Sequence, residues 1–213
     1  MRTEELVAVL GRDAGPIGRY RLVRSMGAAL AVAAAAAVGL VFVVLGMRPD
    51  LLTSAALTAF LTRIALGLAV LMPATFFLVR VARPGGERSV KISILVLPFV
   101  ILAIAAAVVL AQQPTSHWHN QIFGENWMEC LLFIPLNAIV PFAAVTWGVR
   151  QAAPTNLILA GAVSGLAAGT ISAVGYSFHC LDNAVPFTAV WYAATIGLCT
   201  AIGAKCGPLF LRW

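Results

Sequence analysis

The chain has 213 residues, of which 61% are hydrophobic and only 10% are charged, and its formal net charge is +6. A soluble domain carries roughly 25% charged residues, so the composition excludes an ordinary soluble domain and indicates a membrane protein. In a membrane protein, an excess of Lys and Arg usually reports topology. We therefore expect contact with membrane lipid and no direct contact with nucleic acid.

Residues 26–213 contain six apolar stretches of about 20 residues, the length of helix that crosses roughly 30 Å of hydrocarbon. The breaks between them carry residues that interrupt helices, as in Arg48-Pro49-Asp50. The predicted fold is an all-α integral membrane protein, a six-transmembrane-helix bundle that follows a cytoplasmic segment of residues 1–25. Residues 53–60 either extend the second helix or lie along the membrane interface. The predicted spans are 26–47, 60–80, 92–111, 130–149, 156–176 and 187–207.

The distribution of basic residues predicts the orientation of the bundle. Twelve of the 14 Lys and Arg residues fall on the side that holds both termini, and Arg48 alone lies on the other side. Cytoplasmic loops of membrane proteins carry such an excess. We therefore predict that both termini are cytoplasmic and that loops 48–59, 112–129 and 177–186 face outside.

The fifth predicted span carries a stripe of small residues. Gly161, Gly165 and Gly169 recur at every fourth position. Small residues allow helix backbones to approach closely in a membrane, so we assign these glycines to helix packing. The alanine run 33–37 in the first span offers a smooth partner surface. The alternative is that the stripe forms a sliding interface. The oligomeric state is a separate question, and a homo-oligomer stays open.

Few polar residues interrupt the predicted spans. Arg63 lies inside the second span or at its outer end, where a long basic side chain can extend to the headgroups. We take that as its simplest role, although intramembrane charges can also mark ion or substrate paths. Asn137 in the fourth span is expected to hydrogen-bond a neighbouring helix, and Pro135 and Pro141 predict bends there.

Residues that can ligate metals or react as nucleophiles gather on the predicted outer side. Cys130 lies at the start of the fourth span, and Cys180 lies in the loop between the fifth and sixth spans. They form either a thiol pair, oxidisable by a signal or joined as a structural disulfide, or a site for a soft metal ion such as copper, zinc or cadmium. A third interpretation is that each cysteine is only a small buried hydrophobe. The additional metal-ligand candidates are His117, His119, Glu129, His179 and Asp182.

The amino-terminal segment has the pattern of a short amphipathic helix. Thr3 is a suitable N-cap, and it is followed by two acidic residues that favour the first helical turn. Two turns are too short to be stable alone in water. The segment therefore folds on the groove of a partner or lies on the inner leaflet. Its apolar positions are Leu6, Val7, Val9 and Leu10.

Several short blocks, taken in order along the chain, resemble a known family. They are Thr3-Glu4-Glu5-Leu6, Arg48-Pro49-Asp50-Leu51, the run from Cys130 to Leu136, Ala153-Pro154-Thr155, the run from Gly161 to Gly165, Tyr176-Ser177-Phe178-His179-Cys180, Pro186-Phe187 and Val190-Trp191-Tyr192. Together with six spans and two outward cysteines, these blocks resemble the NrsF-type membrane anti-sigma factors, which are negative regulators of extracytoplasmic-function sigma factors in proteobacteria.

This resemblance implies a regulator of the bacterial inner membrane rather than an enzyme. Its cytoplasmic face would sequester a sigma factor, with the amino-terminal segment as the sigma-binding element and help from the basic loop 80–91. The paired cysteines of the family correspond to Cys130 and Cys180, which would respond to heavy metals or oxidants. We expect the signal to shift the fourth helix against the fifth and sixth.

Two other classes of function are weighed against this hypothesis. A small membrane transporter or metal exporter would need polar groups through the middle of the bilayer, where only Arg63 and Asn137 qualify. A membrane thiol oxidoreductase would need a C-x-x-C pair of low pKa, and the spacing of Cys130 and Cys180 does not provide one.

Overall fold

The computed structural model describes residues 19–81, 93–152 and 154–212. The regular secondary structure of these residues is helical throughout, and six helical segments are long and apolar enough to cross a membrane. The all-α prediction and the number of candidate spans are therefore confirmed. The elements in chain order are α1 (Arg19–Val44), α2 (Ser54–Val81), α3 (Ser93–Ala111), a 3₁₀ turn (Thr115–His117), α4 (Trp118–Phe123), α5 (Trp127–Asn137), α6 (Ile139–Arg150), α7 (Leu157–Tyr176), α8 (Val185–Phe187), a π-helical turn (Thr188–Tyr192) and α9 (Ala193–Phe210).

The helix bounds differ from the predicted spans mainly at the ends. The first helix ends at Val44 rather than at residue 47, because Gly46 adopts a φ of 76° that a right-handed helix cannot continue through. The second helix begins at Ser54, so the ambiguous segment 53–60 extends it. The predicted outer loop 112–129 contains the 3₁₀ turn and α4, which together with α5 and α6 make up the fourth candidate span.

The fourth candidate span is broken near its middle. Pro141 has no N–H, so the carbonyl of Asn137 has no partner within the helix, and α5 ends there. The freed end is bound to neighbouring helices. The Asn137 amide donates to the carbonyl of Ala37 on α1 at 3.3 Å, and the Ser172 hydroxyl on α7 donates to the carbonyl of Ile134 at 2.8 Å. Asn137 thus bonds a neighbouring helix, as expected from the sequence.

Helix α7 lies in the centre of the bundle, and its glycine stripe faces α9. A Cβ added at Gly161 would overlap the carbonyl of Gly203, and one added at Gly165 would overlap the carbonyl of Cys199. A Cβ at Gly169 would lie 2.7 Å from the Cβ of Cys199. The expectation that the alanine run of α1 partners this stripe holds only at the end of the helix, where Ala37 packs on Gly175, and not at these three glycines. Helix α9 has glycines of its own, so two bare backbones can meet, whereas α1 packs on α7 near Gly175 through Ala37.

Three connecting segments meet at one end of the bundle, which we call the cysteine end. The Arg48 N–H donates to the carbonyl of Phe178 at 3.0 Å, and the Trp191 indole donates to the carbonyl of Ile122 at 2.9 Å. At the opposite end, Ser25 on α1 bonds Gln151 after α6. The predicted sigma-binding residues Leu6, Val7, Val9 and Leu10, and most of the basic loop 80–91, lie outside the described residues.

Candidate sensor site

Two cysteines from separate parts of the chain meet at the cysteine end. Cys130 is in the first turns of α5 and is 0% exposed, and Cys180 follows α7 and is 1% exposed. The Cys180 N–H donates to the carbonyl of Tyr176 at 3.1 Å, so the chain turns back over the end of α7. This turn brings Cys180 into direct interaction with Cys130. Both thiols are free.

Arg63 is buried beside the two thiols and is only 1% exposed. Its Nε donates to the hydroxyl of Thr188 at 3.2 Å, Nη2 donates to the carbonyl of Asp182, and the guanidinium lies 4.9 Å from the ring centroid of Tyr192. The expectation that Arg63 extends to the headgroups is wrong. Because α2 begins at Ser54, Arg63 lies roughly 14 Å along the helix from its start, and it faces the bundle.

A second buried arginine, Arg48, holds the same loop from the other side. Its Nη1 donates to the carbonyl of Cys180 at 2.6 Å and to the side chain of Asn183 at 3.1 Å. Its Nε and Nη2 bind both carboxylate oxygens of Asp50, at 2.9 and 2.8 Å. This bidentate bond holds the pKa of Asp50 below its usual range.

Asp182 ties the cysteine loop to the start of α5. Its two carboxylate oxygens accept from the backbone N–H groups of Glu125 and Asn126, each at 3.2 Å. Gly124 adopts a φ of 57°, and a Cβ at that position would overlap the Asp182 carboxylate. Asp182 therefore positions the two segments that carry Cys130 and Cys180.

The histidines and Glu129 are not gathered around the thiols. His179 Nδ1 lies 3.1 Å from the carbonyl of Gly46, and His119 stacks on Phe123 with ring centroids 4.8 Å apart. His117 and Glu129 are exposed. Within the described part of the chain, no three His, Cys, Asp or Glu side chains are grouped so that they could hold a metal ion.

The sequence did not single out two tyrosines at this site. The side chains of Tyr176 and Tyr192 are fully buried, and both interact electrostatically with the cysteine pair. Tyr192 and Thr188, which both contact Arg63, belong to the π-helical turn that interrupts the sixth span. Such turns occur frequently at functional sites, but nothing in the sequence pattern of this segment indicates one.

The surroundings of Cys180 favour its ionised form. Hydrogen bonding from the Cys130 thiol lowers the pKa of Cys180 to about 6, and the Arg63 charge acts in the same direction, whereas burial opposes both. A thiolate is the reactive form in oxidation. The site therefore contains two buried free thiols, of which Cys180 is the more readily ionised.

The chain is similar to known proteins over nearly its whole length. A family model described as "Negative regulator of sigma F" (NrsF) matches residues 10–213. The "Probable anti-sigma-F factor NrsF" of Azospira oryzae is 31% identical over 214 residues, and the "Anti-sigma-F factor NrsF" of Caulobacter vibrioides is 30% identical over 221 residues. Both alignments cover 100% of both proteins.

No solved structure matches the chain. The two relatives are named as regulators and not as enzymes, in agreement with the expectation for this chain. The family match covers nearly the whole sequence and includes all three segments of the cysteine end. The chain therefore belongs to the NrsF family of negative regulators of sigma F.

Proposed function

We propose that the chain is a membrane-bound anti-sigma factor that sequesters an extracytoplasmic-function sigma factor at the bacterial inner membrane and releases it under oxidative or heavy-metal stress. Its family and the names of its relatives support a sigma factor as the partner. The observation that carries the sensing part is the buried contact between Cys130 and Cys180. A bond between these sulfurs would fix α5 against the end of α7.

The donors at this site favour oxidation over metal binding. Zinc usually takes four protein ligands in a structural site, whereas the described part of the chain groups only the two thiols here. Arg63 places a positive charge beside both sulfurs, which disfavours a second cation. A soft ion such as copper, zinc or cadmium would be held by two thiolates alone, so we place disulfide formation first.

The cysteine pair is linked to the rest of the bundle through α5. Cys130 lies near the start of this helix, and Asn137 at its end donates to the carbonyl of Ala37 on α1. Helix α1 leads directly to the amino-terminal segment. A shift of α5 on disulfide formation would therefore move α1, which follows in the sequence after the proposed sigma-binding residues Leu6, Val7, Val9 and Leu10.

The coupling has an energetic condition. A signal can shift the equilibrium between a sigma-holding and a sigma-releasing state only as far as it favours one state over the other, about 1.4 kcal/mol for each tenfold change. A disulfide satisfies this condition if the two sulfurs reach bonding distance in only one state. Arg48 and Asp182 bind the cysteine loop through hydrogen bonds. These bonds limit the positions that Cys180 can take relative to Cys130, which supports a small number of defined states.

The experiment that tests this proposal measures sigma activity in cells that carry the chain, its sigma factor and a reporter gene. We expect Cys130→Ser and Cys180→Ser each to retain repression and to lose induction by a peroxide, because neither variant can form the disulfide. The control is the double variant Cys199→Ser/Cys206→Ser. Cys199 lies on α9, where it packs against Gly169 of α7. Because this contact does not involve Cys130 or Cys180, the control should keep normal induction. Peroxide induction that persists in both Cys130→Ser and Cys180→Ser would show that the pair is not the sensor.

A further inference from the structure

Unpaired polar atoms are concentrated around the cysteine pair. Buried polar atoms normally have hydrogen-bond partners. In the described part of the chain, four buried side-chain atoms lack one, and they are Arg63 Nη1, Tyr176 Oη, Tyr192 Oη and Asn137 Oδ1. The first three belong to residues that interact electrostatically with both Cys130 and Cys180.

These three groups share one chemical property. A guanidinium N–H and a phenolic O–H are hydrogen-bond donors, and the guanidinium also carries a positive charge. A shell of unpaired donors is complementary to negative charge and not to a metal cation. No carboxylate in the described residues forms an ion pair with Arg63, since Asp182 bonds it through its backbone carbonyl and uses its carboxylate for the N–H groups of α5. The acceptor that suits this shell is a sulfur anion.

We propose that Arg63 and Tyr192 hold Cys180 as a thiolate, so that Cys180 is the attacking sulfur and Cys130 is the resolving thiol. The Tyr176 hydroxyl interacts with the Cys130 side of the pair. This inference rests on the proposed function of the cysteine pair in sensing. Arg63 is a positioning residue in it. Its Nη2 is bound two residues beyond Cys180, at the carbonyl of Asp182, and its Nη1 remains free of a partner.

The choice of Cys180 over Cys130 follows from their contacts. Cys180 receives hydrogen bonding from the Cys130 thiol and from the backbone N–H of Asp182, and it feels the positive charge of Arg63. Of the other charged groups near the loop, the Asp182 carboxylate opposes ionisation, whereas Arg48 is paired with Asp50. The balance of these contacts lowers the pKa of Cys180 to about 6 in spite of burial.

The oxidation balances with a peroxide as the oxidant. The Cys180 thiolate attacks one peroxide oxygen, an S–O bond forms, the O–O bond breaks, and hydroxide leaves and is protonated to water. Cys180 is then a sulfenic acid. The Cys130 sulfur attacks the Cys180 sulfur, the S–S bond forms, the S–O bond breaks, and the hydroxyl leaves with the Cys130 proton as a second water. In total two thiols and one peroxide give one disulfide and two waters.

The test uses the full chain in lipid nanodiscs with Cys199→Ala and Cys206→Ala, so that only the pair reacts. The rate of modification by methyl methanethiosulfonate is measured against pH, and mass spectrometry assigns the modified cysteine. We expect Cys180 to react first, with a midpoint near pH 6. Arg63→Gln should raise the midpoint by at least about one pH unit, since a neighbouring opposite charge typically shifts a pKa by 1–3 units. Arg63→Lys keeps the charge and should raise it less.

Two further variants make the test robust. Tyr192→Phe removes the hydroxyl but keeps the ring that packs on Arg63, so it should fold and raise the midpoint by a smaller amount. Arg80→Gln removes a positive charge from the last turn of the same helix, at the end away from the cysteine pair, and should leave the midpoint unchanged. An unchanged midpoint in both Arg63→Gln and Tyr192→Phe, or first modification at Cys130, overturns the inference. If the midpoints shift as expected but Cys130→Ser still permits induction in cells, the proposed function fails and the thiolate assignment stands.

Discussion

The two buried arginines at the cysteine end hold the same loop but differ in the partner of their charge. Arg48 is 3% exposed and Arg63 is 1% exposed, and each donates to a backbone carbonyl of the loop, at Cys180 and at Asp182. Arg48 is neutralised by Asp50, whereas Arg63 retains an unpaired N–H beside two thiols. Burial of a charge alone therefore does not indicate its role. The pairing of that charge separates a structural clamp from a reactive site.

The largest difference between the two arginines should appear in stability. Arg48→Met leaves the Cys180 carbonyl and the Asn183 side chain without their donor and Asp50 without its counter-ion. We expect a loss of about 2–3 kcal/mol, in the range for a buried hydrogen-bonded group. The measurement is unfolding of the purified chain in mild detergent. A loss below the error of the measurement would show that Arg48 is not a clamp.

A smaller loss is expected for the matched substitution Arg63→Met. It removes two hydrogen bonds and the contact with Tyr192, but it also removes a buried cation without an ionic partner. Replacing a buried charge by an apolar side chain is often close to neutral, so we expect a loss of about 1 kcal/mol or less. The same unfolding assay compares the two variants. If Arg63→Met were more destabilising than Arg48→Met, the distinction between clamp and reactive site would be wrong.

The smallest expected effect is the loss of stability at low pH that comes from the ion pair between Arg48 and Asp50. Arg48 lowers the pKa of Asp50 below its ordinary value of 3.8, so the ion pair contributes stability above that pH. The contribution is lost as the pH falls through the lowered pKa, because protonation removes the carboxylate charge. Solvent screens the pair, since the Asp50 side chain is 41% exposed. Unfolding curves from pH 5 to pH 2 should decline less steeply for Asp50→Asn than for the wild type, and identical slopes would contradict this assignment.

The features that were predictable from the sequence depend on composition and local pattern. Six apolar stretches predicted the number of candidate spans, and the placement of Cys130 and Cys180 on the same predicted side of the membrane indicated the pair. The glycine stripe of α7 could also be predicted from the sequence. Its partner helix could not, because a stripe does not specify which helix lies opposite. A signal was available in Gly203 and Gly207, which are four residues apart and meet the stripe.

The features that were not predictable depend on contacts between distant segments. Arg63 contacts Thr188 and Tyr192, and Thr188 lies 125 residues away in the sequence. Hydropathy predicts only how far along a span Arg63 lies and not which residues it contacts. Because the start of α2 was uncertain by several residues, even that position was ambiguous. The ion pair of Arg48 could be expected from the sequence, since Asp50 follows two residues later. Its bond to the Cys180 carbonyl could not, because the two residues meet only in the folded chain.

The most direct test of the central claim measures the redox state of the cysteine pair and the bound sigma factor in the same sample. Membranes that carry the chain and its sigma factor would be treated with increasing peroxide. Differential alkylation with mass spectrometry would give the fraction of the Cys130–Cys180 disulfide, and co-purification would give the fraction of sigma factor retained. The account predicts that sigma factor is lost in proportion to disulfide formed. Full disulfide formation with sigma factor still bound, or release while both thiols remain reduced, would contradict it.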